Sequence, residues 1–153
     1  MQNILNTNLY LGSKNDYYLI ESEIEDKSDW VFVHCCRSFY KNLKQKDTKV
    51  IIINKDLYID WEDLPDTSSF EISDFILAMD FLDKYIKTNK ILIHCDWGQS
   101  RSPTLVLVYL AKRLKLIPNT FIGALEQFVK IYPDYHLPSG ISKFVKLNWN
   151  EIK

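Results

Sequence analysis

One segment limits the fold more than any other. Residues 91–115 read ILIHCDWGQSRSPTLVLVYLAKRLK. Ile91 to His94 is apolar up to its last residue, as expected of a strand covered on both faces. Pro103 to Lys115 is apolar nearly all round, which predicts a central buried helix. Pro103 suits a first helical turn, and Lys112, Arg113 and Lys115 suit the C-terminal end. Seven residues, Cys95 to Arg101, join the two. A buried strand feeding a buried helix demands a sheet with helices packed over it, so the expected fold class is α/β.

The rest of the chain agrees. Asn8–Gly12, Trp30–His34, Lys49–Ile53 and Leu57–Ile59 read as further short strands, giving a central sheet of about five strands flanked by helices. Ser68 and Glu71 have capping-box spacing before Ile72, Phe75, Ile76, Met79, Leu82 and Ile86, which recur at helical intervals. Asn119 predicts the cap of a helix running to Ile131, with Phe121, Leu125 and Phe128 inward and Tyr132-Pro133 ending it. A last helix is expected from about Gly140 to Ile152. No repeat, low-complexity tract or Pro/Gly/Ser linker interrupts the sequence, so residues 1–153 read as a single domain.

The loop Cys95–Arg101 carries the chemistry. Amide groups at a helix start have no helical partner and form an anion site, aided by the helix dipole. Gly98 lets the backbone curl. Only three arginines occur, Arg37, Arg101 and Arg113, among 19 Lys and Arg together, so an Arg at this place is notable. Its planar fork matches phosphate oxygens. Cys95, at the strand end, faces that positive pocket, an environment that favours a thiolate. A thiolate beneath a cradled phosphate is placed for in-line attack on phosphorus. Ser102 is positioned to donate a hydrogen bond to the sulfur when it leaves. The phosphate-binding residues expected are Asp96, Trp97, Gly98, Gln99, Ser100 and Arg101, mainly through their amides.

His94-Cys95, five intervening residues and Arg101-Ser102 resemble the signature of the protein tyrosine phosphatases. NLYLGS, DFLDKYI, KILIHC, GQSRSPTLVLVYLA and FVKIYPDY resemble the small dual-specificity phosphatases across most of the chain, least so between Cys35 and Lys55. The resemblance implies a phosphocysteine intermediate, with Cys95, Arg101, Ser102 and His94 in the catalytic set and no metal or cofactor. It also implies a general acid on the loop before the helix that leads into the His-Cys strand. Asp60, Asp63 and Asp66 crowd that loop. Asp66-Thr-Ser-Ser-Phe-Glu-Ile-Ser fits the family pattern and favours Asp66, with Asp63 second and Asp60 third. Relatives acting on inositol lipids usually carry basic residues in the phosphate loop. Asp96 and Trp97 are read here as facing the cleft rim, and the presence of Asp96 and Gln99 in the loop in place of basic residues points instead to phosphotyrosine or phosphoserine/threonine in a protein or peptide. The other reading is a catalytically weak phosphopeptide-binding module on the same fold; turnover of a small aryl phosphate separates the two.

Other residues are weighed against this. Neither Cys35 nor Cys36 has an Arg six positions on, where Lys41 and Asn42 stand, so neither is a second nucleophile of this type. His34, Cys35, Cys36, His94, Cys95 and His136 make no recognised metal pattern. A thiol redox enzyme would need a C-x-x-C pair, and none occurs. Arg37 is a candidate substrate contact, while Tyr132, Tyr135 and Trp149 read as core or surface aromatics. A net charge of −1 gives no global attraction to nucleic acid or anionic membrane. No apolar run approaches the roughly 18 residues of a membrane span. MQNILNTNLYLGSKND lacks the pattern of a signal peptide. A cytoplasmic monomer is the expectation.

Overall fold

The computed structural model describes residues 1–153. Its elements run β1 (Gln2–Asn3), β2 (Leu9–Ser13), α1 (Lys14–Glu23), β3 (Trp30–His34), α2 (Arg37–Tyr40), β4 (Val50–Ile53), β5 (Asp56–Ile59), α3 (Ile72–Tyr85), β6 (Lys90–Cys95), α4 (Arg101–Lys112), α5 (Phe121–Ile131) and α6 (Gly140–Leu147). The sheet has six strands in the order β1-β2-β6-β3-β5-β4. The four inner strands β2, β6, β3 and β5 are parallel, and the short edges β1 and β4 pair antiparallel.

Alternation along the inner strands divides the core. Leu9, Leu11, Val31, Val33, Ile91 and Ile93 face the larger core, shared with α3, α4 and α6. Trp30, Phe32 and Leu92 face the other way and form a smaller cluster with Ile20 of α1. The same parity puts His34 and His94 on the α1 side, and Cys95 with the larger core. Every residue of β3 is buried, and α4 is buried from Arg101 to Ala111, as a strand and helix with no solvent face must be.

Several boundaries differ from the sequence reading. The sheet gains β1, too short to carry a pattern. Strand β2 passes straight into α1, a helix that buries only Ile20 and so lacks an apolar stripe. The box that starts α3 is Glu71 with Asp74, not Ser68 with Glu71. The Asp74 carboxylate takes the Glu71 amide at 3.0 Å and the Trp61 indole N–H at 3.0 Å, which ties the helix start to the core. Thr120, not Asn119, caps α5, its hydroxyl accepting the Gly123 amide at 3.1 Å. The helix α4 begins at Arg101, two residues before Pro103. The proline still lies in the first turn, where a missing N–H leaves no bond unmade.

Candidate active site

The loop from Cys95 to Arg101 is held from outside by its carbonyls. The Asp96 carbonyl accepts the Lys14 amide at 3.3 Å, and the Gln99 carbonyl accepts the His136 amide at 2.7 Å. The Gly98 carbonyl accepts the Tyr132 hydroxyl at 2.6 Å, and the Ser100 carbonyl the Thr104 hydroxyl at 2.6 Å. In a trans peptide the following N–H points opposite to its carbonyl. The amides of Trp97, Gln99, Ser100 and Arg101 are thereby turned inward. The Gly98 amide donates to Cys95 Sγ at 3.3 Å, and Ser102 Oγ lies 3.2 Å from the same sulfur.

Gly98 has φ +72, and a Cβ there would stand 2.8 Å from the Gly12 carbonyl oxygen. Both strain and collision act on any side chain. Gly98→Ala should cost about 1–3 kcal/mol of stability, read as a lower urea midpoint at constant slope. An unchanged midpoint would mean that the loop has a second path.

Arg101 is 3% exposed. Its Nη1 donates to the Trp61 carbonyl at 2.9 Å, and its Nη2 to Asp96 Oδ2 at 2.9 Å. Buried Nε has no partner. The edge of the fork formed by Nε and the second Nη2 hydrogen is thus left for a ligand. Burial opposes the charge, but the neighbouring Cys95 and Asp96 outweigh it and hold the guanidinium's pKa above its ordinary value. Asp96 does not face the rim as the sequence reading had it. It takes the Ser38 hydroxyl at 2.6 Å with its other oxygen. Burial raises its pKa, yet Ser38 and Arg101 more than offset this and keep it a carboxylate. Trp97 does reach the rim, 66% exposed.

The cleft over Cys95 has a volume of about 350 Å³ and is lined by Asp63, Trp97, Gln99, Arg101, His136 and Pro138, among others. Of the three candidate acids, Asp63 stands in it and accepts the Ser100 hydroxyl at 3.1 Å. Asp66 lies outside the lining, where its carboxylate accepts the Ser68 amide at 2.9 Å. Hydrogen bonds from Ser68 hold its pKa below the usual carboxylate range. Asp60 lies 3.6 Å from Arg37, which pairs with Glu62 at 2.6 Å. Arg37 is therefore engaged away from the cleft. Cys35 and Cys36 are fully buried. Burial pushes the Cys35 thiol well up and the Cys36 thiol to about 12, so both are poor nucleophiles.

The sequence reading missed the roles of Tyr132 and Tyr135. Tyr132 holds the Gly98 carbonyl, and Tyr135 bonds the Thr104 hydroxyl at 2.6 Å. An aromatic just beyond a helix end carries no local mark of such a partner. The sequence reading places His34 at the end of a strand and in no metal pattern, without a partner; its Nδ1 lies 2.5 Å from Nε2 of His94. No group of three or more His, Cys, Asp or Glu is arranged to hold a metal ion. No helix is long and apolar enough to cross a membrane.

Residues 9–137 match the family model for the dual specificity phosphatase catalytic domain. Dual specificity protein phosphatase 5 of Homo sapiens is 41% identical over 58 residues, which cover 37% of this chain and 15% of that protein. The Rattus norvegicus protein of the same name is 40% identical over the same shares. The match thus spans under a sixth of either relative. Among solved structures, DUSP15 superposes with a TM-score of 0.68 at 19% identity, covering 98% of this chain and 87% of that one. Human DUSP28 gives 0.65 at 16% identity, covering 94% and 88%. The human tyrosine phosphatase-like serine/threonine/tyrosine-interacting protein gives 0.65 at 19% identity, covering 96% and 93%. At these identities the structural likeness concerns the fold.

Proposed function

The chain belongs to the dual specificity phosphatase family through its catalytic domain, and on that premise we propose that it hydrolyses phosphomonoesters through a phosphocysteine at Cys95. The observation that carries this reading is the Arg101 fork. Its Nε is buried and unpartnered, beside a thiol, in a cleft whose amides are turned inward. A phosphate supplies the acceptors such donors need.

In the first step the Cys95 thiolate attacks phosphorus in line with the leaving oxygen. The S–P bond forms as the P–O bond breaks, and an acid donates a proton to the departing oxygen. The equatorial oxygens are met by Arg101 and the loop amides, so that positioning and electrostatics do most of the work. In the second step the acid, now a carboxylate, takes a proton from water. The water oxygen bonds phosphorus, and the sulfur leaves as thiolate, met by the Ser102 hydroxyl and the Gly98 amide. Neither step needs a metal. Turnover of an aryl phosphate in excess chelator, abolished by alkylation of Cys95 and protected by phosphate, tests the proposal. A stoichiometrically phosphate-binding but inert protein would overturn it.

The acid is proposed from the loop 60–66. Position favours Asp63, and the Asp66-Thr-Ser-Ser-Phe-Glu-Ile-Ser pattern favours Asp66. On the present geometry Asp63→Asn should lower the rate on poor leaving groups by about 10²–10⁴-fold, with a smaller loss on activated aryl phosphates. The same leaving-group-dependent loss confined to Asp66→Asn would assign the acid to Asp66 and require the loop to repack over substrate.

The proposed substrate is a phosphorylated protein or peptide. Paired with Arg101 and Ser38, the Asp96 carboxylate does not shape the rim. The neutral Gln99 and the exposed ring of Trp97, with the Lys14 amine 5.4 Å from its centre, offer a surface suited to a peptide. A reducing cytosol is the proposed location, consistent with three free thiols.

A further inference from the structure

Behind the phosphate loop, on the α1 side of the sheet, four groups stand in a row. The Asp56 carboxylate lies 3.3 Å from His34 Nε2. His34 Nδ1 lies 2.5 Å from His94 Nε2. His94 Nδ1 lies 3.2 Å from the Cys95 carbonyl oxygen. The two rings are fully buried, while Asp56 is 25% exposed and opens the row to solvent.

Both ends of this row are acceptors. Three contacts need three protons, because two facing lone pairs at such distances repel. Two neutral imidazoles supply two. We infer that His34 and His94 together hold a third proton, and that the resulting His34 imidazolium, paired with Asp56, fixes His94 as the donor to the Cys95 carbonyl. His34 and Asp56 are then positioning residues, acting on the nucleophile through His94.

Two independent geometric features put the charge on His34. Asp56 adjoins that ring and not His94. The faces of Phe39 and Tyr58 sandwich it, with centroids at 4.9 and 4.4 Å and tilts of 13° and 25°, where the ring quadrupoles favour a cation. Burial, followed by the His34 charge, pushes the His94 pKa down to about 3, so His94 stays neutral. The ionisable groups around the pair are Tyr17, Asp16 and Glu21 from α1, Asp56 and Tyr58 from β5, and Asp96 after β6. The acids among them favour the extra proton, and α2 contributes only the uncharged Phe39.

The proton count rests on geometry alone, while its effect on turnover rests on the phosphatase reading. The test keeps the two apart. In the full chain labelled with ¹⁵N-histidine, with signals assigned through His136→Gln, His34 should show both ring nitrogens protonated at about pH 7.5. His94 should show a proton on Nδ1 only. Asp56→Asn, a change at a partly exposed site, should abolish the imidazolium signature, and Asp56→Glu should restore it. Asp56→Asn should also lower kcat about tenfold and move the basic limb of the kcat profile to lower pH, since the proton then leaves more readily. Two neutral rings in the unsubstituted chain, or an imidazolium that persists in Asp56→Asn, would overturn the inference whatever the turnover.

Discussion

Cys95→Ser should abolish turnover, by about 10⁴-fold or more, while the protein still folds and binds phosphate or vanadate. A serine hydroxyl ionises far above any working pH, and no side chain in the cleft is placed to take its proton. The imidazole next in sequence, His94, points to the opposite face of the sheet and is engaged with His34. The anion site itself consists of loop amides and Arg101, which the substitution does not touch. The comparison therefore separates binding from chemistry. Calorimetric titration with vanadate should give an affinity close to that of the unsubstituted chain. Turnover within tenfold of normal would mean that phosphorus is attacked by something other than this sulfur.

Arg101→Lys should also be crippling, costing about 10²–10³-fold in kcat/KM on every substrate, whatever its leaving group. The charge is kept and the fork is lost. An ammonium cannot serve the Trp61 carbonyl, the Asp96 carboxylate and a phosphate edge together, since those partners now divide two terminal nitrogens and Nε among them. It also leaves Asp96 without its buried partner, beside the incoming dianion. The double substitution Arg101→Lys with Asp96→Asn should therefore recover part of the loss. A rate near normal for Arg101→Lys alone would show that the guanidinium does not hold the phosphate.

The elements that surround the site were legible because each repeats a local rule. Ile91–His94 and Pro103–Ala111 are apolar nearly all round because both are enclosed, and Gly98 followed by Arg101 stands between them. The helix α1 escaped notice because ten residues that bury one side chain leave no periodicity. The turning of Asp96 toward Arg101 and Ser38 could not be read, since a carboxylate near an exposed loop has the same local sequence whether it faces water or a guanidinium. Tyr132 and Thr104 are 34 and four residues from the carbonyls they hold, and only the second separation belongs to a helix. His34 and His94 were each visible, but their meeting depends on two strands lying side by side in register, His34 opposite His94. The dispute between Asp63 and Asp66 is of the same kind: a loop pattern fixes which residues are near one another in the chain, not which carboxylate leans over the cleft.

The four donors that hold the loop carbonyls have a consequence for engineering. They come from the start of α1, the first turn of α4, the residue just beyond α5 and the segment after it. The nine residues from His94 to Ser102 are therefore not a portable cassette. Grafted between a strand and a helix of another α/β scaffold, they would bring a cysteine and an arginine but not the clamps that turn the amides inward. A transplant should include Lys14, Thr104, Tyr132 and His136 in their present places, and the backbone amides at two of these positions can be supplied by any residue that follows the same path.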